Sequence, residues 1–144
     1  MIFSKLQLER YADVMVWAME NARRGGKFKK YDTVLVRAEI GALPLAQVVY
    51  EKLLQKRYHP IVRFMATDGL QRAFYTLADD KQLAYMAAGE AAFQESLNGM
   101  IALRAPEDLM ALKTVNPARI GKAAVARKSL RDILDRTEQA GQFS

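Results

Sequence analysis

The side chains with a claim to chemistry are few. Glu39 directly follows the apolar run 33-TVLVRA-38, and α/β proteins gather their ligands just past the carboxyl ends of strands. A carboxylate placed there could serve as a general base or join a metal shell. No base, nucleophile or second ligand accompanies it in sequence, so Glu39 is a candidate for lining a cleft rather than for catalysis. His59 is the only histidine, whereas a zinc site draws three or four ligands from His, Cys and carboxylates. The absence of cysteine excludes thiolate metal sites and disulfides. Asp79 and Asp80 are adjacent and do not share a face on a regular element; capping and turn formation account for them. Thr67 and Ser129 stand in no nucleophile context. The residues therefore assign no catalytic and no metal-ligating position in this chain.

The loop 39-EIGALP-44 lies between a strand and a helix, where phosphate-binding loops occur. Such loops use several glycines so that backbone N–H groups approach phosphate oxygens. Here there is one glycine, Gly41, and Pro44 removes an N–H. The Gly-Lys-Ser/Thr ending of a P-loop is missing as well. The loop turns the chain and starts a helix.

The chain has 144 residues, a net charge of +6 and 51% hydrophobic content, as expected of one globular domain. No apolar run approaches the roughly 18 residues of a membrane span, and no secretory signal opens the sequence. The cytoplasm is the default compartment. Positive charge clusters in 23-RRGGKFKK-30 and recurs through Lys122, Arg127, Lys128, Arg131 and Arg136. These residues are dispersed in sequence and show no pattern of interleaved stacking aromatics, so a basic loop and a solvated helix face account for them. Nucleic acid is not an expected partner.

The elements that position these residues follow from periodicity. Ser4 and Gln7 form a capping box, with Phe3 and Leu8 spaced as a hydrophobic staple. Leu8, Tyr11, Ala12, Met15 and Met19 make the apolar stripe of a first helix, which Gly25-Gly26 ends. Val14 and Trp17 fall off that stripe, which marks Trp17 as a candidate interface residue. Thr33 to Ala38 is a buried strand. Pro44 opens a helix with Leu45, Val48, Val49 and Leu53 inward, and Tyr58-His59-Pro60 breaks it. Ile61 to Ala66 is a second strand. Asp68 and Gln71 cap a helix with Leu70, Ala73, Phe74 and Leu77 inward. After a break at Asp79-Asp80, helical spacing continues through Leu83, Met86, Glu90, Phe93 and Leu97. Met100 to Arg104 is a third strand. Asn116-Pro117 starts a long helix to about Gln139, with Ala123, Ala126, Leu130 and Ile133 as its apolar face. Strands alternating with helices predict an α/β fold: one three-layer domain, a mostly parallel sheet of at least three strands, and helices on both faces. Strand order stays open.

Two stretches carry a resemblance. They are 9-ERYADVMVWAMENARRGGKFKKYDTVLVRAEIGALPLAQVVYEKLLQKRYHPIV-62 and 115-VNPARIGKAAVARKSLRDILDR-136. Their order resembles the N-terminal domain of the thermophilic metallo-aminopeptidases, the aminopeptidase T and aminopeptidase S type. The most telling piece is ALPLA after a strand. The resemblance implies a non-catalytic lobe that shapes a peptide cleft and contributes dimer contacts in a cytoplasmic enzyme removing N-terminal residues. It also implies a C-terminal catalytic domain beyond Ser144, holding two divalent metal ions (zinc, cobalt or manganese), and an inactive chain without that domain. None of the family's Glu, His, Tyr and Asp ligands has a counterpart here. The basic balance departs from the family's usually acidic character. The alternative is a free-standing α/β module that binds nucleic acid or an anionic ligand.

Overall fold

A computed structural model describes residues 3–105 and 109–144. Helix α1 (Lys5–Ala22) leads into β1 (Thr33–Ala38), a short 3-10 turn at Ile40–Ala42, α2 (Leu43–Gln55) and β2 (His59–Phe64). Three helices follow, α3 (Asp68–Leu77), α4 (Asp80–Leu83) and α5 (Glu90–Ser96), then β3 (Gly99–Leu103) and the long α6 (Pro117–Gln139). The sheet is parallel, in the order β2-β1-β3. Alternation along β1 sorts the core into two sides. Val34, Val36 and Ala38 pack with Ala12, Val16 and Met19 of α1 and with Ala46, Val49 and Leu53 of α2. Leu35 faces the other way, into a smaller cluster with Leu97 and Phe143, flanked by Phe93 of α5 and Leu134 of α6. Helices thus cover both faces, and the expected three-layer α/β domain is what forms.

Local signals hold where a side chain can act alone. Ser4 and Gln7 form the reciprocal capping box of α1, while the ring of Phe3 rests edge-on against Tyr11, three residues beyond the expected staple partner Leu8, at 5.3 Å between centroids. Pro44 sits in the first turn of α2. Asn116 caps α6 by accepting from the Ala118 N–H. Asp79 caps α4 with Gln82 as its capping-box partner, and Asp80 pairs with Lys122 at 3.0 Å.

Four expectations need correction. The second strand starts at His59, two residues before the predicted Ile61, and ends at Phe64. Pro60 is tolerated because β2 is an edge strand, where a missing N–H breaks no ladder bond. The third strand runs Gly99–Leu103, one residue earlier than predicted. The cap of α3 is Thr67, which accepts from the Leu70 N–H at 3.3 Å, so Asp68 lies inside the first turn. The helical spacing from Leu83 to Leu97 spans the end of α4 at Leu83, a non-helical stretch 84–89, and α5, whose N-cap Gly89 adopts the left-handed φ of 86° that glycine takes freely.

The apolar side of α3 also differs from expectation. Leu70 is 63% exposed and Leu77 79% exposed; Phe74 is half-buried and Ala73 exposed. What fastens α3 is a small cluster, Phe74 and Tyr75 packed against Ala78, Leu83 and Ala123 of α6, together with Arg119 of α6, which donates from Nε to the Tyr75 carbonyl at 2.7 Å and from Nη2 to the Ala78 carbonyl. Those bonds satisfy carbonyls at the end of the helix that would otherwise lack donors. At the far end of the chain, Ser144 donates its N–H to the Asn98 carbonyl (3.2 Å), and its own carbonyl accepts from the Met100 N–H (2.9 Å).

Candidate functional site

In a sheet of order 2-1-3 the chain leaves central β1 for β2 on one side and then crosses to β3 on the other, and the crevice at the carboxyl end of β1 is where α/β proteins place ligands. Here that crevice is lined by Glu39, Ile40, Gly41, Ala66, Thr67, Asp68 and Ala105. Loops after all three strands contribute, as parallel pairing demands. The crevice encloses only about 20 Å³, close to the space of one water.

Glu39 explains why it is so small. Its Oε2 accepts the backbone N–H of Ala105, and its Oε1 pairs with the Arg104 Nε at 2.9 Å. Its own N–H donates to the Leu103 carbonyl at 3.0 Å. The carboxylate therefore ties the end of β1 to the segment leaving β3. Gly41 permits the close approach, since a Cβ there would lie 3.3 Å from the Cβ of Ala105. That is the glycine's role in the EIGALP loop. Nor is the start of α2 an anion cradle. The Ala42 N–H donates to the Glu39 carbonyl and the Leu43 N–H to the Ile40 carbonyl, Pro44 has no N–H, and donors so engaged are not available to a phosphate.

The remaining candidates lie apart. Trp17 is 63% exposed and Val14 62% exposed on the outer side of α1, away from the buried stripe of Ala12, Val16 and Met19. His59 begins β2, exposed and stacked on Tyr31 with centroids 5.5 Å apart. Thr67 is spent on its cap. Ser129 is exposed on α6. The fold brings neither Trp17 nor His59 to the crevice that holds Glu39. Sequence reasoning missed Arg104 and Ala105 as partners of Glu39. The signal was present, an acid just after one strand and a base just after another, but it becomes readable only once β1 and β3 are known to be neighbours.

Among the described residues, burial perturbs one titrating group. Tyr58, 7% exposed, donates its hydroxyl to Glu20 Oε2 at 2.6 Å. Burial first, then the Glu20 hydrogen bond and charge, push its pKa well above the ordinary tyrosine value. It sits among core residues at the base of the sheet and belongs to the packing.

The fit to a metal can be judged from these donors. Among the described residues no three of His, Cys, Asp and Glu gather as a metal shell would require, and Glu39 has both oxygens engaged. These residues do not fit a catalytic metal. Among the described residues, too, no helix is long and apolar enough to cross a membrane.

Over residues 4–144 the sequence matches the family described as thermophilic metalloprotease (M29). The chain belongs to the M29 family. No curated protein matches this M29 chain. Among solved structures, its fold is similar to wild-type AmpT from Thermus thermophilus, with a TM-score of 0.69 and 21% identity. That match covers 97% of the M29 chain but 35% of the Thermus chain, so the sequence spans about a third of the length of its structural relative.

Proposed function

We propose that this chain is the N-terminal, non-catalytic lobe of a cytoplasmic metal-dependent aminopeptidase. One observation carries the reading: a metalloprotease family matched along nearly the whole chain, in which the described residues gather no group of three His, Cys, Asp or Glu side chains. The family's chemistry then belongs to a part of the parent protein outside these residues. The length of the Thermus relative supports this, since about two thirds of it has no counterpart here.

In this reading the lobe contributes shape. A wall that narrows access favours short peptides and keeps water from the reacting centre. The exposed side of α3 suits contact with the catalytic domain: Phe74, Leu77 and Tyr85 line an open groove of about 380 Å³ there. The outer side of α1, with Val14 and Trp17, suits contact with a second copy of the parent.

Metal retention tests the proposal. The 144-residue chain and the protein encoded by the complete reading frame are each loaded with zinc, cobalt or manganese, dialysed and assayed for bound metal. The reading expects stoichiometric metal in the complete protein and none in the shorter chain. Tight metal in the 144-residue chain contradicts it.

A further inference from the structure

At the amino end of the sheet the fold gathers what the sequence scatters. The loop 23–32 and the turn 56–59 are joined by two backbone bonds, Tyr31 N–H to the Arg57 carbonyl (2.7 Å) and His59 N–H to the Asp32 carbonyl (2.9 Å). Together with the adjoining Glu20 these segments hold seven Lys and Arg against two acids, five of the chain's six net positive charges. Both acids are engaged: Asp32 pairs with Arg23 at 3.3 Å and Glu20 with Lys56 at 2.5 Å. Arg24, Lys27, Lys29, Lys30 and Arg57 are exposed and enter no ion pair among the described residues. A cation or two at the carboxyl ends of α1 and α2 would serve the helix dipoles; five unpaired ones exceed that need.

The same surface carries backbone strain. Tyr31 (φ 70°) and Arg57 (φ 69°) are the described non-glycine residues with positive φ, and they are bonded to each other. A bulky side chain seldom adopts that conformation; at Arg57 it closes α2, where the Arg57 and Tyr58 N–H groups donate to the Leu54 and Leu53 carbonyls, and at Tyr31 it turns the loop closed by the Asp32 N–H to the Lys29 carbonyl. The result is that Tyr31 stands 64% exposed, tilted by 33° against the exposed His59 ring amid the cations.

We propose that this end of the lobe binds single-stranded nucleic acid without sequence preference. The five free cations would contact phosphates, and the Tyr31–His59 pair would offer a stacking face for a base, the combination that serves single strands. A flat anionic surface would have no use for the exposed ring pair. The proposal stands apart from the peptidase reading and concerns the opposite end of the sheet from Glu39.

The test measures anisotropy of fluorescein-labelled oligo(dT) and oligo(U) with the 144-residue chain across a salt series. Four or five phosphate contacts predict a log–log salt slope of about −3, so affinity falls roughly 50- to 100-fold between 50 and 200 mM salt. K29A/K30A/R57G should flatten that slope by about 2. Y31G should weaken binding roughly 5- to 150-fold, the loss of one stacked base, with the slope unchanged. Glycine adopts the left-handed conformation freely, so R57G and Y31G keep the backbone, and circular dichroism checks the fold of both variants. Absence of binding at 50 mM salt overturns the proposal, as does wild-type affinity in either variant. Equal affinity for duplex DNA or for polyphosphate of matched length overturns it as well, because a stacking face would then contribute nothing.

Discussion

Replacing Glu39 by alanine separates a structural tie from a catalytic group. In the structure the carboxylate accepts the Ala105 N–H and pairs with Arg104. A hydrogen bond from a backbone N–H to a carboxylate contributes about 1.5–3 kcal/mol, and removing the acceptor leaves that half-buried N–H without a partner. The Arg104 side chain is 72% exposed, so the ion pair adds no more than about 0.5 kcal/mol. E39A should therefore lose about 2 kcal/mol. E39Q keeps an acceptor oxygen without the charge and should lose about 1 kcal/mol; R104A should lose under about 0.5 kcal/mol. With a urea m-value of about 2 kcal/mol/M, the E39A midpoint falls by roughly 1 M. Urea titrations followed by circular dichroism read all three, alongside kcat for E39Q in the complete protein. Stability of E39A within 0.5 kcal/mol of wild type, on the order of experimental error, would refute the tie. A folded E39Q enzyme slowed by the roughly 10²–10⁴-fold typical of a lost general base would make Glu39 catalytic.

The other predictions concern packing, pH and association. Leu53, fully buried, should cost about 2–5 kcal/mol on L53A, whereas L77Q on the exposed side of α3 should stay within about 0.5 kcal/mol, both by urea denaturation. Tyr58 resists ionisation when folded, so the stability it lends is present below the unfolded tyrosine pKa of about 10 and lost as pH rises above it. Stability plotted from pH 8 to 11 should accordingly fall more steeply for wild type than for Y58F; parallel curves would contradict a Tyr58 hydroxyl held neutral by burial and Glu20. Trp17 in the 144-residue chain should emit as a solvated indole open to acrylamide. In the complete protein its emission should shift to the blue and its quenching should fall as sedimentation shows a dimer; a dimer with Trp17 still fully quenchable removes it from the contact.

What could be read from the sequence was whatever a residue settles with its own neighbours. The capping box of Ser4 and Gln7, Pro44 and Asn116-Pro117 depend on separations of a few residues, and all three formed. The buried strand around Leu35 was legible because an uninterrupted apolar run needs cover on both faces. Periodicity failed where it was asked which partner covers a stripe. Leu70 and Leu77 have helical spacing, yet α6 meets α3 at Phe74, Tyr75 and the carbonyls bonded by Arg119 and leaves those leucines outward. His59 and Pro60 looked like a break because strand order was unknown, and only an edge strand admits that proline. The Glu39–Arg104 pair and the Tyr31–Arg57 junction join residues far apart in the chain, beyond the reach of any local pattern. The family resemblance survived comparison over residues 4–144.

The most direct measurement is the rate of aminoacyl-p-nitroanilide hydrolysis, with added divalent metal, by this 144-residue chain and by the protein of the complete reading frame. A scaffold lobe predicts no turnover by the shorter chain and chelator-sensitive release of the N-terminal residue by the complete protein. Metal-dependent turnover by the 144-residue chain itself, or none by the complete protein, would contradict the account.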